Sequence, residues 1–264
     1  MPTIASDGVT IHYRDEGRGP PVLLLHAFPL HAGMFDPQVA ALRSKYRFIL
    51  PDHRGFGRSG LGSGPAEMSQ LAKDALAVLD ALQIREAVIG GVSMGGYATM
   101  ALLRVAPARA RAILLLDTQL SADDDAGKAN REKLARDTEA RGMIALVESF
   151  LPRLVAPSAA AEVKERVREM IESNRPAGGA AGLRGLALRP DSRDVLAAFK
   201  GPTLVACGAL DAITGPDKAR AMADLLTNAR LEIIPGAGHL ANLENPRDFN
   251  RTLETFLDEV TRGP

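Results

Sequence analysis

Short apolar runs recur along this 264-residue chain, separated by stretches in which apolar residues return every three or four positions. The runs fall at residues 22–25, 47–50, 87–90, 112–116, 203–207 and 230–234. They are mostly continuous rather than alternating, which predicts strands buried on both faces. The segments 70–82, 95–105, 216–226 and 246–260 have helical spacing instead. In the last of these, Phe249, Leu253, Phe256 and Leu257 fall at i, i+4, i+7 and i+8, a single core-facing stripe. Strand runs alternating with helices predict an α/β fold, with a mostly parallel central sheet flanked by helices. Ahead of them, residues 3–5 and 9–13 flank Asp7-Gly8, a turn pair that predicts a hairpin. No internal repeat is visible.

One stretch breaks the alternation. Residues 118–188 carry no strand pattern and show helical patterns at 128–141, 143–151 and 159–173. Strand runs resume at Thr203, so the stretch reads as a helical cap inserted into one core made of residues 1–117 and 189–264. Pro176-Ala177-Gly178-Gly179 predicts a turn between cap helices. Asp123-Asp124-Asp125 could hold a cation, but charge runs mostly sit on solvated faces, and it is read as a helix start.

Composition narrows the partners. Lys+Arg and Asp+Glu both number 32, so nothing predicts capture of nucleic acid or an anionic membrane. No apolar run approaches the ~18 residues that a membrane span requires. Met-Pro-Thr-Ile-Ala-Ser-Asp-Gly lacks the basic and apolar segments of a signal peptide, and a cytoplasmic location is expected. Cys207 is the single cysteine, which excludes an internal disulfide and a thiolate metal cluster.

Candidate chemistry centres on Gly91-Val92-Ser93-Met94-Gly95. It follows the run Ala87-Val88-Ile89 and precedes a helical pattern. Glycines on both sides of the serine allow a sharp strand-to-helix turn that exposes the hydroxyl. Such a serine needs a base, and five histidines are available. His12, in the hairpin, reads as structural, and His26, at the end of a strand, as loop-shaping. His31 and His53 lie in loops near the expected site edge and could touch substrate. His239 follows a strand within Pro235-Gly236-Ala237-Gly238-His239, whose small residues leave the imidazole free to reach the serine. An acid must then orient that ring. Asp211, just past the run 203–207, is preferred; Asp117, at the end of the run 112–116, is the rival. Backbone N–H groups of Phe28, in His26-Ala27-Phe28-Pro29, and of Met94 are placed to stabilise an oxyanion.

These segments resemble the α/β-hydrolase fold family over nearly the whole chain. His26–Pro29 is similar to the family's His-Gly-x-Pro loop, with Ala27 in the glycine position. Asp52-His53-Arg54-Gly55-Phe56-Gly57-Arg58-Ser59 resembles its Asp-x-Arg-Gly-x-Gly-x-Ser loop, and residues 91–95 and 236–244 its serine and histidine loops. The resemblance implies Ser93 as nucleophile, Asp211 as acid and His239 as base, with Phe28 and Met94 as the oxyanion hole. If position 27 requires φ > 0, alanine there displaces the Phe28 amide. The Ser-Met-Gly-Gly and Gly-Ala-Gly-His-Leu-Ala-Asn-Leu-Glu segments resemble 3-oxoadipate enol-lactonase-like hydrolases and small carboxylesterases. The implied activity is hydrolysis of small esters or lactones through an acyl-enzyme, without metal or organic cofactor. A perhydrolase of the cofactor-free haloperoxidase type and a carbon–carbon bond hydrolase would use the same residues. A non-catalytic ligand sensor is a further alternative. Met143, Leu146, Val147, Phe150, Leu151 and Leu154 either line the pocket or pack the cap onto the core. Arg153, Arg184 and Arg189 are candidates to hold a substrate carboxylate.

Overall fold

The computed structural model describes residues 2–261. β1 (Thr3–Ser6) and β2 (Val9–Gly17) form the expected hairpin, with Asp7 and Gly8 both at positive φ. That pair of left-handed residues matches the right-handed twist of the flanking strands. β2 runs four residues past the predicted end because Tyr13–Gly17 pairs with a later strand. Its Arg14-Asp15-Glu16 stretch is polar; pairing with that later strand and the bidentate Arg47–Asp15 ion pair hold it extended.

The chain continues through β3 (Pro21–Leu25), a 3₁₀ turn (Ala32–Phe35), α1 (Asp36–Leu42), β4 (Arg47–Pro51), α2 (Met68–Ala81), β5 (Ala87–Val92), α3 (Met94–Val105) and β6 (Ala110–Leu116). Four helices follow: α4 (Asp125–Arg141), α5 (Ile144–Leu154), α6 (Ala161–Glu172) and α7 (Pro176–Ala187). The chain closes with α8 (Arg193–Ala198), β7 (Thr203–Gly208), α9 (Pro216–Leu225), β8 (Ala229–Ile234), α10 (Ala241–Glu244) and α11 (Pro246–Thr261). The strands make one sheet in the order β1-β2-β4-β3-β5-β6-β7-β8. Only β2 and its neighbours pair antiparallel; β4, β3 and β5 to β8 are parallel. Every residue of β5 and β7 is buried, as unbroken apolar runs require. α2, α3, α8 and α9 touch in series along the sheet, while α1, α10 and α11 form a second group. The apolar stripe predicted in α11 buries Phe249, Leu253, Phe256 and Leu257.

α4 to α7 lie between β6 and β7 in the chain, and α4 packs chiefly against α7. Asp124 accepts the Gly127 N–H at 2.7 Å and caps α4, so the acidic run does begin a helix. Pro176-Ala177-Gly178-Gly179 is not a turn. It is the first turn of α7, with proline at a position that has no hydrogen-bonding duty. Its glycines permit contact rather than bending: a Cβ on Gly178 would lie 1.9 Å from the Gly55 carbonyl oxygen, and one on Gly185 1.9 Å from that of Ala66. Gly182 similarly faces the rings of Phe56 and Phe28. α7 therefore rests backbone-to-backbone on the core.

No helix among the described residues is long and apolar enough to cross a membrane.

The seating of α7 gives a stability prediction. Gly178→Ala forces the helix off the Gly55 loop and costs about 1–3 kcal/mol or more of overpacking strain. Urea denaturation checks it; an unchanged midpoint would show that the helix yields freely.

Candidate active site

The fold explains where the serine sits. β5 enters the turn at Val92, and Ser93 adopts φ 53°, ψ −110° before α3 begins at Met94. A non-glycine residue there carries roughly 1–3 kcal/mol of strain. Packing holds it. The Ser93 N–H donates to the Leu116 carbonyl at 2.9 Å, and the Thr118 hydroxyl donates to the Ser93 carbonyl at 2.9 Å. The helix starts against β3, where a Cβ on Gly95 would lie 1.9 Å from the Leu25 carbonyl oxygen and one on Gly91 2.5 Å from it. Only glycine fits either place.

His239 and Asp211 meet. Asp211 follows β7 and His239 follows β8, the neighbouring parallel strand, and both side chains are fully enclosed. His239 Nδ1 lies 2.9 Å from Asp211 Oδ2. Thr214 donates its hydroxyl to the same oxygen at 2.7 Å and stands 3.2 Å from Nδ1, while the Ile213 and Thr214 amides donate to Oδ1 at 2.7 and 3.0 Å. A carboxylate facing Nδ1 places the proton on that nitrogen and leaves Nε2 with its lone pair. Burial raises the Asp211 pKa, but the His239 bond and charge and the Thr214 bonds outweigh it, bringing it down to about 2.

The two aspartates separate sharply. Asp117 is fully buried and approaches the same cluster, with atoms of Asp117, Asp211 and His239 all within 4.8 Å of one another. It makes no hydrogen bond to the imidazole. Oδ1 accepts the Gly208 N–H at 2.8 Å, and Oδ2 has no partner among the described residues. Burial first, and the Asp211 charge second, push its pKa well above the usual carboxylate range. These three side chains are also the one group among the described residues close enough to share a metal ion. Asp211 and His239 are bonded to each other and to Thr214, whereas Asp117 is held through Oδ1 by the Gly208 amide.

Ser93 and His239 share a cavity of about 840 Å³ with Phe28, Tyr97, Phe150, Leu154, Leu183, Leu186 and Ile213. Among the described residues the N–H groups of Phe28 and Met94 have no acceptor within the protein. Ala27 is not among the residues at positive φ, so its methyl group is unstrained and leaves the Phe28 amide in place. Neutral His26 supports this loop: the His53 N–H donates to Nε2 at 2.9 Å, and Nδ1 bonds the Ala27 carbonyl at 3.0 Å. Burial, against an opposing pull from Asp52, lowers the His26 pKa to about 4. Cys207 is a poor candidate nucleophile, because burial and nearby Asp117 and Asp211 push its thiol up to about 12.

Other expectations change. His31 does not reach the cavity, since its Nδ1 accepts the Gly33 N–H and caps the 3₁₀ turn. His53 is turned into the core against His26, with ring centres 4.2 Å apart. His12 is structural, bonding Asp52 at 3.0 Å. Of the apolar candidates, Phe150 and Leu154 line the cavity; Met143, Leu146 and Val147 are buried in the core, and Leu151 packs partly buried against it. Arg184 pairs with Glu132 and Glu139 on α4, and Arg189 pairs with Asp123 while stacking on Tyr97. Arg153 alone of the three lines the cavity, its guanidinium 5.8 Å from the Phe150 ring centre and with no ion pair among the described residues. Thr118 and Thr214 were not singled out from sequence. Threonine directly after a strand-end aspartate, or three residues beyond one, is the signal that marks them.

This arrangement of sheet, serine turn and paired histidine and aspartate defines an α/β hydrolase. The chain belongs to that family: its description, alpha/beta hydrolase fold, matches residues 20–246. A thermophilic esterase from Thermogutta terrifontis, solved with malate bound, superposes with a TM-score of 0.95 at 38% identity, covering 98% of this chain and 97% of that one. The enol-lactonase from Burkholderia xenovorans LB400 gives 0.88 at 29% identity, with 97% and 100% covered. In sequence, 3-oxoadipate enol-lactonase 1 of Acinetobacter baylyi is 30% identical, over 91% of this chain and 90% of that protein.

The raised pKa of Asp117 fixes the sign of a pH effect. A proton held above the ordinary aspartate range, about 4, stabilises the fold below that pH, and the contribution is lost as pH rises toward the folded-state pKa. Asp117→Asn, which carries no ionisable group, therefore gains stability relative to wild type as pH rises above about 4, the ordinary aspartate value. Paired denaturation curves test this; a difference that stays constant with pH overturns it.

Proposed function

We propose that this protein is a serine hydrolase that cleaves small carboxylic esters or lactones through an acyl-enzyme. The observation that carries the reading is the His239–Asp211 bond beside a cavity that His239 shares with Ser93. The ester preference is supported by the esterase and lactonase likeness of its relatives.

In this mechanism Nε2 of His239 takes the Ser93 proton as the hydroxyl oxygen attacks the substrate carbonyl. Asp211, held ionised by four hydrogen bonds, stabilises the imidazolium that forms. The free Phe28 and Met94 amides receive the developing oxyanion, each such donor being worth ~3 kcal/mol of barrier. The imidazolium then protonates the leaving alkoxide. Water enters, loses a proton to the same nitrogen and attacks the acyl carbonyl; the bond to Ser93 Oγ breaks, the imidazolium returns the proton to that oxygen, and the acid is released. Residues 118–188 act as the cap, with α4, α5 and α7 supplying Leu134, Phe150, Leu154, Leu183 and Leu186 to the cavity wall. That wall suits a modest apolar group. The exposed Lys133, Arg136 and Arg153 also line the cavity, where it reaches solvent.

Ser93→Ala is expected to reduce turnover of a p-nitrophenyl ester by about 10,000-fold or more with an unchanged circular dichroism spectrum. Activity surviving in that variant rules out the acyl-enzyme route. Asp211→Asn is expected to cost on the order of 1,000- to 10,000-fold in kcat, whereas Asp117→Asn leaves kcat within a few-fold. The reverse order would make Asp117 the acid. Arg153→Ala should raise KM about 1.5- to fivefold for an ester bearing a distal carboxylate, a solvent-exposed pairing, and leave the matched neutral ester unaffected. Equal changes for both esters would remove Arg153 from substrate binding.

A further inference from the structure

Behind the imidazole, one carboxylate gathers amides from two separate parts of the chain. Glu244 is the last residue of α10, just past His239. Its Oε2 accepts the Ala156 N–H at 2.7 Å, and its Oε1 accepts the Gly238 N–H at 3.0 Å and, more weakly, the Leu240 N–H at 3.4 Å. Gly238 and Leu240 flank His239. Ala156 follows α5, whose last turns place Phe150, Arg153 and Leu154 on the cavity wall. The two segments touch directly as well: a Cβ on Gly238 would lie 2.6 Å from the Ala156 nitrogen and 3.0 Å from Glu244 Oε1. Val155 and Ala156 are buried, so water cannot readily replace the carboxylate. Burial raises the Glu244 pKa, and the three amides and the charge of His239 oppose that rise.

We propose that Glu244 is a positioning residue that fastens the end of α5 to the loop presenting His239. The imidazole and the cavity wall thereby keep a fixed relative placement. Three donors converge on two carboxylate oxygens. An amide in that place offers one acceptor and turns its NH₂ toward another N–H, so glutamine cannot satisfy both segments. Placement matters because a shift of about 1 Å in a reacting group is enough to cost on the order of 100-fold in rate. The inference rests on the serine-hydrolase reading for its catalytic consequence, but not for the fastening itself.

The test compares Glu244→Gln with the wild-type chain in three measurements: amide exchange, kcat and KM on p-nitrophenyl acetate, and the low-field proton resonance of the His239–Asp211 bond. Expected are faster exchange at both Ala156 and Gly238–Leu240, a kcat lowered tenfold or more with KM changed less than threefold, and a broadened low-field resonance. Exchange that rises at only one segment, or not at all, overturns the fastening. Faster exchange at both with kcat and the resonance unchanged overturns the catalytic role. If the glutamine variant does not fold, Glu244→Asp, which keeps the charge but shortens its reach, is judged by the same outcomes. Ser93→Ala separates this from the parent reading: if that variant keeps turnover, the mechanism fails, while the exchange data still decide whether Glu244 joins the two segments.

Discussion

The contact on which the site depends is the seating of the first turn of α3 on the Leu25 carbonyl, with no side chain between them. β3 and β5 pair in parallel, Leu25 opposite Gly91, so the loops after both strands leave the sheet side by side. One carries the Phe28 amide; the other carries Ser93 and the Met94 amide. Any atom inserted at Gly95 would part these two loops and move Ser93 and the two amides together. The unfavourable backbone angles of Ser93 persist because the Leu116 carbonyl and the Thr118 hydroxyl hold the turn from the opposite side.

Electrostatics then sorts two aspartates that share one neighbourhood. Asp211 receives four donors that favour its charge; Asp117 receives the Gly208 amide on one oxygen, and burial raises its pKa. A second full charge so close would compete with the first, and the Asp211 charge is itself one of the causes that raise the Asp117 pKa. The imidazole is hydrogen-bonded to one of the two carboxyl groups, that of Asp211.

The sheet could be read from the sequence because its strands are buried on both faces, which leaves unbroken apolar runs. α11 could be read because one stripe of it is buried. Where tertiary contact rather than periodicity decides, local pattern misleads: the polar end of β2 is held extended by β4, through pairing and the Arg47–Asp15 ion pair, and α7 hides its glycines in backbone contacts that local sequence rules take for a turn. Among site residues, Ser93, Asp211 and His239 stood out because each ends or follows a strand amid small neighbours. His31 and His53 shared that setting, yet the structure turns them to a cap and to the core, a matter of side-chain direction that spacing does not encode. Glu244 was legible only as part of a motif, since its partners at Ala156 lie far away in sequence.

The glycine face of α7 also bears on how this pocket could diverge. A helix with no clearance to the core cannot change residues at those positions without being lifted, and Leu183 and Leu186 ride on it. Change in the cavity lining is therefore easier on α4 and α5, whose exposed Lys133, Arg136 and Arg153 lie along the opening, than on the α7 side. Evolution is given one adjustable wall and one that is nearly immovable.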